Sequence, residues 1–335
     1  MRDRAAGFES TTVRGNGIVQ IRLPMTGNPM RYINAYAVED DDGLTLIDAG
    51  WKADDVFAAL RDGLGEHGRA IADIRRLVIT HCHFDHYGLA GTLLRAGIGE
   101  LIMHRLDWAL AVDHLTDPAA LDAAADAWIA RNGLRVDVLL DEELMHHRTE
   151  LAQPTRELEG GERIGRLRAL WTPGHTPGHL CLIDERTGAL FSGDHILDPV
   201  TPHVGVWRST TADPLGDYIA SLDRTAATGA THVFPAHGEP FPDLNRRVHE
   251  LRAHELHRER QIAAALGARE RNATDIARVI PWTRRERAFT ELSPTHQQFA
   301  VAETLAHLEH LRARGVVVRD DAADPIVYRR AMERV

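Results

Sequence analysis

The chain has 335 residues, enough for one large core and a small second domain, and its 44% hydrophobic and 26% charged residues are ordinary for a soluble globular protein. A net charge of −10 with histidines neutral removes bulk positive charge as a way of holding nucleic acid, although a local basic groove stays open. Two cysteines, Cys82 and Cys181, make no disulfide framework and fit a reducing compartment; with no apolar leader and no membrane-length apolar run, the expected location is the cytoplasm.

Residues 1–16 read as a polar lead-in. Residues 17–23 and 32–38 read as strands joined through Pro24 and the turn at Gly27-Asn28-Pro29. A third strand, 43–47, follows the acidic turn Asp40-Asp41-Asp42-Gly43, which a plain turn explains better than a calcium site. Residues 53–64 place Val56, Leu60 and Leu64 at helical spacing. An apolar strand over 75–80 then runs into His81-Cys82-His83-Phe84-Asp85-His86, a helix over 88–96 and a short strand at 101–103. Residues 105–153 lose strand character. Helices over 119–129 and 136–147 make this a helical insertion, with Trp108, Trp128, Leu139, Leu140 and Met145 lining an apolar wall or simply burying the insertion. His146-His147 reads as an exposed helix end.

The sheet pattern resumes at Glu162. A strand over 167–171 leads to Thr172-Pro173-Gly174-His175-Thr176-Pro177-Gly178-His179, and a hairpin of 179–183 and 189–191 ends at Asp194. The loop 198–212, with His203 and Trp207, leaves from Asp194 and should border the same site. Asp213 is a good N-cap with Pro214 at the first helical position, and the last core strand, 232–234, delivers His237.

A lone histidine is usually an ordinary surface or core residue. Four ligand-type residues within six positions after a strand are hard to explain that way, and imidazole with carboxylate suits zinc, iron and manganese. His81 and His83 alternate toward one point; Cys82 points away from them into packing. His175 and His179 are four apart, but Pro173, Pro177, Gly174 and Gly178 forbid a helix there. His175 therefore sits on the loop as a ligand, while His179 starts a strand and is placed to brace that loop by a hydrogen bond.

These motifs, in this order, resemble the metallo-β-lactamase superfamily over roughly residues 17–245. The resemblance implies an α/β fold, a four-layer αββα sandwich. It implies that His81, His83 and His175 hold one divalent metal ion, that Asp85, His86 and His237 hold a second, and that Asp194 bridges them. Zinc is the default, with iron or manganese also suited. A hydroxide between the metals is then the nucleophile, with Asp85 and Asp194 as catalytic residues supported by His179; no Gly-x-Ser-x-Gly motif offers a serine instead. The Thr-Pro-Gly-His-Thr-Pro-Gly-His run is similar to that of glyoxalase II and other thioester hydrolases, so the expected partner is a small-molecule acyl substrate: a thioester, ester or lactone. A phosphodiesterase or ribonuclease is the alternative. An iron-dependent dioxygenase is less favoured, because Asp85, His86 and His237 are all kept.

Beyond residue 245 the pattern turns helical: 247–266, 274–280 before Pro281, and 294–314 before Gly315, followed by a hairpin of 316–318 and 326–328. Helices plus hairpin resemble a small winged-helix domain, found in a branch of the superfamily with an RNA-cleaving member. Only Arg284, Arg285 and Arg287 form a dense basic cluster, so packing, homodimerisation or substrate shaping is favoured over nucleic-acid binding. The division is thus 1–245, carrying the insertion 105–153, and 246–335, with no membrane association.

Overall fold

The computed structural model describes residues 10–116, 118–134, 150–207 and 211–331. Its first sheet has seven strands in chain order. β1 (Thr11–Gly15), β2 (Ile18–Pro24), β3 (Tyr32–Asp40) and β4 (Gly43–Ile47) form an antiparallel meander, to which β5 (Ile74–Val78), β6 (Glu100–His104) and β7 (Arg156–Leu158) add in parallel. β1 lies within the stretch read as a lead-in. Its apolar residue, Val13, points to solvent and its buried residue is Thr11, so no hydrophobic alternation marked it.

The second sheet runs β13-β12-β11-β10-β9-β8, built from β8 (Arg163–Ile164), β9 (Leu167–Trp171), β10 (Leu180–Asp184), β11 (Ala189–Gly193), β12 (His232–Pro235) and β13 (Phe241–Pro242). Only β11 and β12 pair in parallel; the other neighbours are antiparallel.

Tyr36, Val38, Ile47 and Val78 from the first sheet meet Leu180, Leu182, Phe191 and Phe234 from the second. The Tyr36 ring lies 5.3 Å from Phe191 and 5.6 Å from Phe234, within the usual range for aromatic pairs. On its other face the first sheet packs Leu46, Leu77 and Leu101 against Val56, Leu60 and Leu64 of α1 (Asp54–Gly65). On the second sheet, Ile183, Leu190 and Val233 pack against Leu215, Tyr218 and Leu222 of α6 (Pro214–Ala226). The result is helix, sheet, sheet, helix. β4 and β5 are covered on both faces and largely buried, Arg75 being the one exposed position, and each fully buried Leu or Val contributes about 1.5–3 kcal/mol relative to exposure.

Between these layers come α2 (Phe84–Tyr87), α3 (Ala90–Arg95), α4 (Arg105–Thr116) and α5 (Pro118–Arg131). α4 was not foreseen, and the single helix expected over 88–96 is preceded by the extra turn α2. Trp108 packs on the outer core of the first sheet. The helix expected at 136–147, with Leu139, Leu140, Met145 and His146-His147, lies outside the described residues.

The C-terminal part comprises α7 (Leu244–Leu266), α8 (Ala273–Ala277), α9 (Pro294–Ala313) and a hairpin of β14 (Val317–Asp320) and β15 (Val327–Arg330). α7 serves two cores: Leu244, Val248 and Leu251 pack on the second sheet, while Ile262 and Leu266 join Ile276, Leu305, Leu308, Val317 and Tyr328. The division at residue 245 falls in its first turn. Ile129 of α5 belongs to this second core, and the Ile326 amide donates to the Arg131 carbonyl at 2.8 Å. The insertion thus packs on the C-terminal part. No helix among the described residues is long and apolar enough to cross a membrane.

Candidate metal centre

The metal-ligand residues expected from the sequence gather on one rim of the sandwich, most of them just beyond the end of a strand. β5 leads to His81 and His83, β9 to His175, β11 to Asp194 and β12 to His237. Asp85 and His86 lie in α2, a single helical turn. That turn starts where the Tyr87 amide donates to the His83 carbonyl at 2.9 Å. It fits there because residue 88 is glycine: a Cβ would stand 2.5 Å from the Trp51 Cα.

Three groups of donors converge: His81, His83 and His175; His81, His86 and Asp194; and Asp85, His86 and His237, each with ligand atoms within 4.8 Å of one another. In the first, His83 Nδ1 is 2.9 Å from His81 Nε2 and 3.0 Å from His175 Nε2. Tetrahedral zinc imposes a spacing of about 3.3 Å, so the donors need to spread by only a few tenths of an ångström. In the last, His237 Nε2 is 3.3 Å from Asp85 Oδ2, and His86 Nε2 is 3.8 Å from Asp85 Oδ1. Asp194 lies between. Its Oδ1 is 3.6 Å from both His86 Nε2 and His237 Nε2, and its Oδ2 is 3.7 Å from His175 Nε2.

The residues fit a cation on two grounds. His86 Nε2 and Asp194 Oδ1 are buried without a hydrogen-bond partner, a combination that calls for an ion. The charges also ask for one. Burial opposes protonation of His86, yet Asp48, Asp85 and Asp194 outweigh it and raise its pKa well above that of a free imidazole. Burial likewise opposes, and Asp194 and Asp85 overcome, in raising His237. His81, by contrast, is pushed well below its ordinary value by burial and then by His86 and His83, which leaves it a neutral donor. A divalent cation supplies the positive charge that the carboxylates otherwise draw onto imidazoles.

The donors are aimed by a second layer of contacts. His175 Nδ1–H donates to the His203 carbonyl at 2.8 Å, which leaves the Nε2 lone pair facing inward. His86 Nδ1–H donates to Asp48 Oδ2 at 2.8 Å, and the other Asp48 oxygen accepts from the Thr80 amide at 2.8 Å. Asp107, fully buried on α4, accepts from the Cys82 amide and the Thr176 hydroxyl at 2.8 Å each and from the Gly178 amide at 2.5 Å. It locks the two histidine loops together. Neither aspartate was singled out: a lone acid ending a strand, or inside an insertion, carries no spacing signal.

His179 stands outside all three groups. Its Nε2 accepts from the Asp194 amide at 3.1 Å and its Nδ1 pairs with the Thr172 hydroxyl at 2.8 Å, so both nitrogens are used. Burial, then His195 and His175, holds it neutral as that acceptor role requires. Through the first of these contacts it braces the Asp194 backbone. Cys82 is buried in the outer core of the first sheet, as the alternation implied.

The metallo-beta-lactamase superfamily model matches residues 29–237, more than half of the chain. The chain belongs to the metallo-β-lactamase superfamily. The likeness to solved structures extends over the C-terminal part as well. A metallo-beta-lactamase family protein from Thermus thermophilus, TTHA1429, is 31% identical with a TM-score of 0.80, over 94% of this chain and 98% of that one. A beta-lactamase domain protein from Burkholderia ambifaria is 28% identical with a TM-score of 0.82, over 98% and 94%. Among curated proteins, the probable metallo-hydrolase YqjP of Bacillus subtilis is 26% identical over 313 residues, 90% of this chain and 93% of its own. An atrochrysone carboxyl ACP thioesterase of Aspergillus aculeatus, AacuM, is 37% identical over 101 residues, 30% of each chain.

Within this superfamily member, Asp48 offers a direct test of how His86 is aimed. Asp48→Asn keeps an oxygen for Thr80 but turns a donor toward His86 Nδ1. Metal affinity at the Asp85–His86–His237 group should fall about 10–100-fold, as measured by competition with a chromophoric chelator. Unchanged affinity would show that Asp48 does not orient His86.

Proposed function

We propose that this metal-dependent hydrolase of the metallo-β-lactamase superfamily carries two divalent ions, zinc by default, and cleaves a small acyl compound, a thioester in preference to an ester or lactone. The observation that carries the reading is the placement of Asp194, with one oxygen toward His86 and His237 and the other toward His175. His81, His83 and His175 would hold one ion, Asp85, His86 and His237 the other, with Asp194 shared. When bound, the ions supply an activated water and polarise the acyl oxygen.

The chain's own residues supply orientation and proton handling. Asp85, at 22% exposure of its side chain, is the more open of the two carboxylates, against 13% for Asp194, and on this reading it would orient the attacking water. A cysteine nucleophile is disfavoured. Burial raises Cys181 to about 12, and burial followed by Asp107 raises Cys82 well above an ordinary thiol. The thioester preference is supported by the name of the Aspergillus relative and by the Thr172–His179 run.

The test is a screen of metal-loaded protein on an acyl thioester, a p-nitrophenyl ester, a lactone and bis-p-nitrophenyl phosphate. The thioester should turn over fastest, and chelator should abolish turnover. Phosphodiester turnover above that of all three acyl substrates would replace this reading.

A further inference from the structure

Beside the metal centre a group of aromatic rings comes from three distant parts of the chain. His203, whose carbonyl holds His175, donates its Nε2–H to the Phe299 carbonyl in the first turns of α9 at 3.1 Å. Its ring centroid is 4.9 Å from that of Phe299 and 5.9 Å from that of Trp207. Trp207 lies 5.9 Å from Phe299 at an interplanar angle of 84° and 5.7 Å from Trp128 on α5. The insertion, the loop after Asp194 and the C-terminal part therefore meet in rings next to a metal-ligand histidine.

The group is not sealed. Phe299 is 39% exposed, and Trp128 and Trp207 are half-buried. Trp128 also lines a cavity of about 370 Å³, whose apolar walls include Val206, Leu305 and Ile326. That volume falls within the range of small-molecule sites. Its charged side chains are paired: Arg319 with Glu309 and with Asp321, both at 2.9 Å, and Arg131 with Asp324 at 3.6 Å. The walls favour an uncharged, flat group over an ionic one.

We propose that Trp128, Trp207 and Phe299 receive the acyl part of the substrate and select a flat aromatic acyl group over a short aliphatic one; this rests on the reading of the protein as an acyl hydrolase. Aromatic rings gain from stacking or edge contact beyond the area they bury, and a flat substrate ring gains it from several of these at once. An acetyl group has no ring with which to make such contacts.

The experiment uses full-length, zinc-loaded protein and two thioesters of N-acetylcysteamine, 2-naphthoyl and acetyl. Wild type should show the higher kcat/KM for the naphthoyl compound. Phe299→Leu and Trp207→Leu, which keep apolar bulk and remove the ring, should each lower the naphthoyl-to-acetyl ratio on the order of tenfold. In parallel, chelator-treated protein is titrated with uncharged 2-naphthamide by tryptophan fluorescence, and Phe299→Leu should weaken that binding by a similar factor. A wild-type preference for acetyl, or an unchanged ratio in both variants, overturns the proposal and leaves the rings as packing. If neither thioester is cleaved, it is the hydrolase reading that fails. The naphthamide titration then decides alone: weaker binding in the variant supports the aromatic site, and absent or equal binding overturns it.

Discussion

Asp194→Ala is expected to lower hydrolytic turnover at least about a thousandfold, equivalent to roughly 4 kcal/mol of barrier, while the fold survives. The size follows from position. Losing a residue that merely orients a ligand typically costs about 10–100-fold. Asp194 faces both histidine groups, at 3.6 Å and 3.7 Å, so on the proposed two-ion reading its removal would take a donor from each. The fold has little to lose. The residue follows β11 on the rim, and the contact that ties it to His179 uses its backbone amide, which alanine keeps. Steady-state kinetics together with circular dichroism and thermal melting would check this. Turnover within tenfold of wild type would mean that the shared-carboxylate role was wrongly assigned.

His175→Ala and His179→Gln should separate cleanly, although the two histidines share one motif. His175 Nε2 is one of three converging nitrogens, so its loss should remove about one metal equivalent and nearly all activity. His179 uses both nitrogens on Thr172 and the Asp194 amide. Its replacement should leave the metal largely in place, lower activity about 10–100-fold through a misplaced Asp194, and cost about 1–3 kcal/mol for any buried partner left unpaired. Elemental analysis of both variants, alongside kinetics and melting, reads the difference. Equal metal loss in the two would refute the separate roles.

The residues of the site were legible because chemistry repeats there. His81, His83, Asp85 and His86 crowd a short stretch after an apolar strand, and Pro and Gly around His175 forbid a helix. What supports them was not legible. Asp48 and Asp107 are single acids whose value lies in what they meet across the fold, the His86 ring in one case and two separate loops in the other. α2 escaped notice because one turn of helix is too short to show a period, and β1 because its buried residue is a threonine. The helix α9 announced itself through Pro294 and Gly315. The sharing of α7 between two cores did not, since it depends on which half of one continuous helix meets which sheet or hairpin.

Metal content is the most direct measurement of the central claim. Full-length protein purified without chelator is analysed for transition metals and for zinc, and the loaded form is crystallised. The account predicts close to two divalent ions per chain, one among His81, His83 and His175 and one among Asp85, His86 and His237, with Asp194 between them. A reproducible single equivalent, with His86 and His237 free of metal in the crystal, would contradict it.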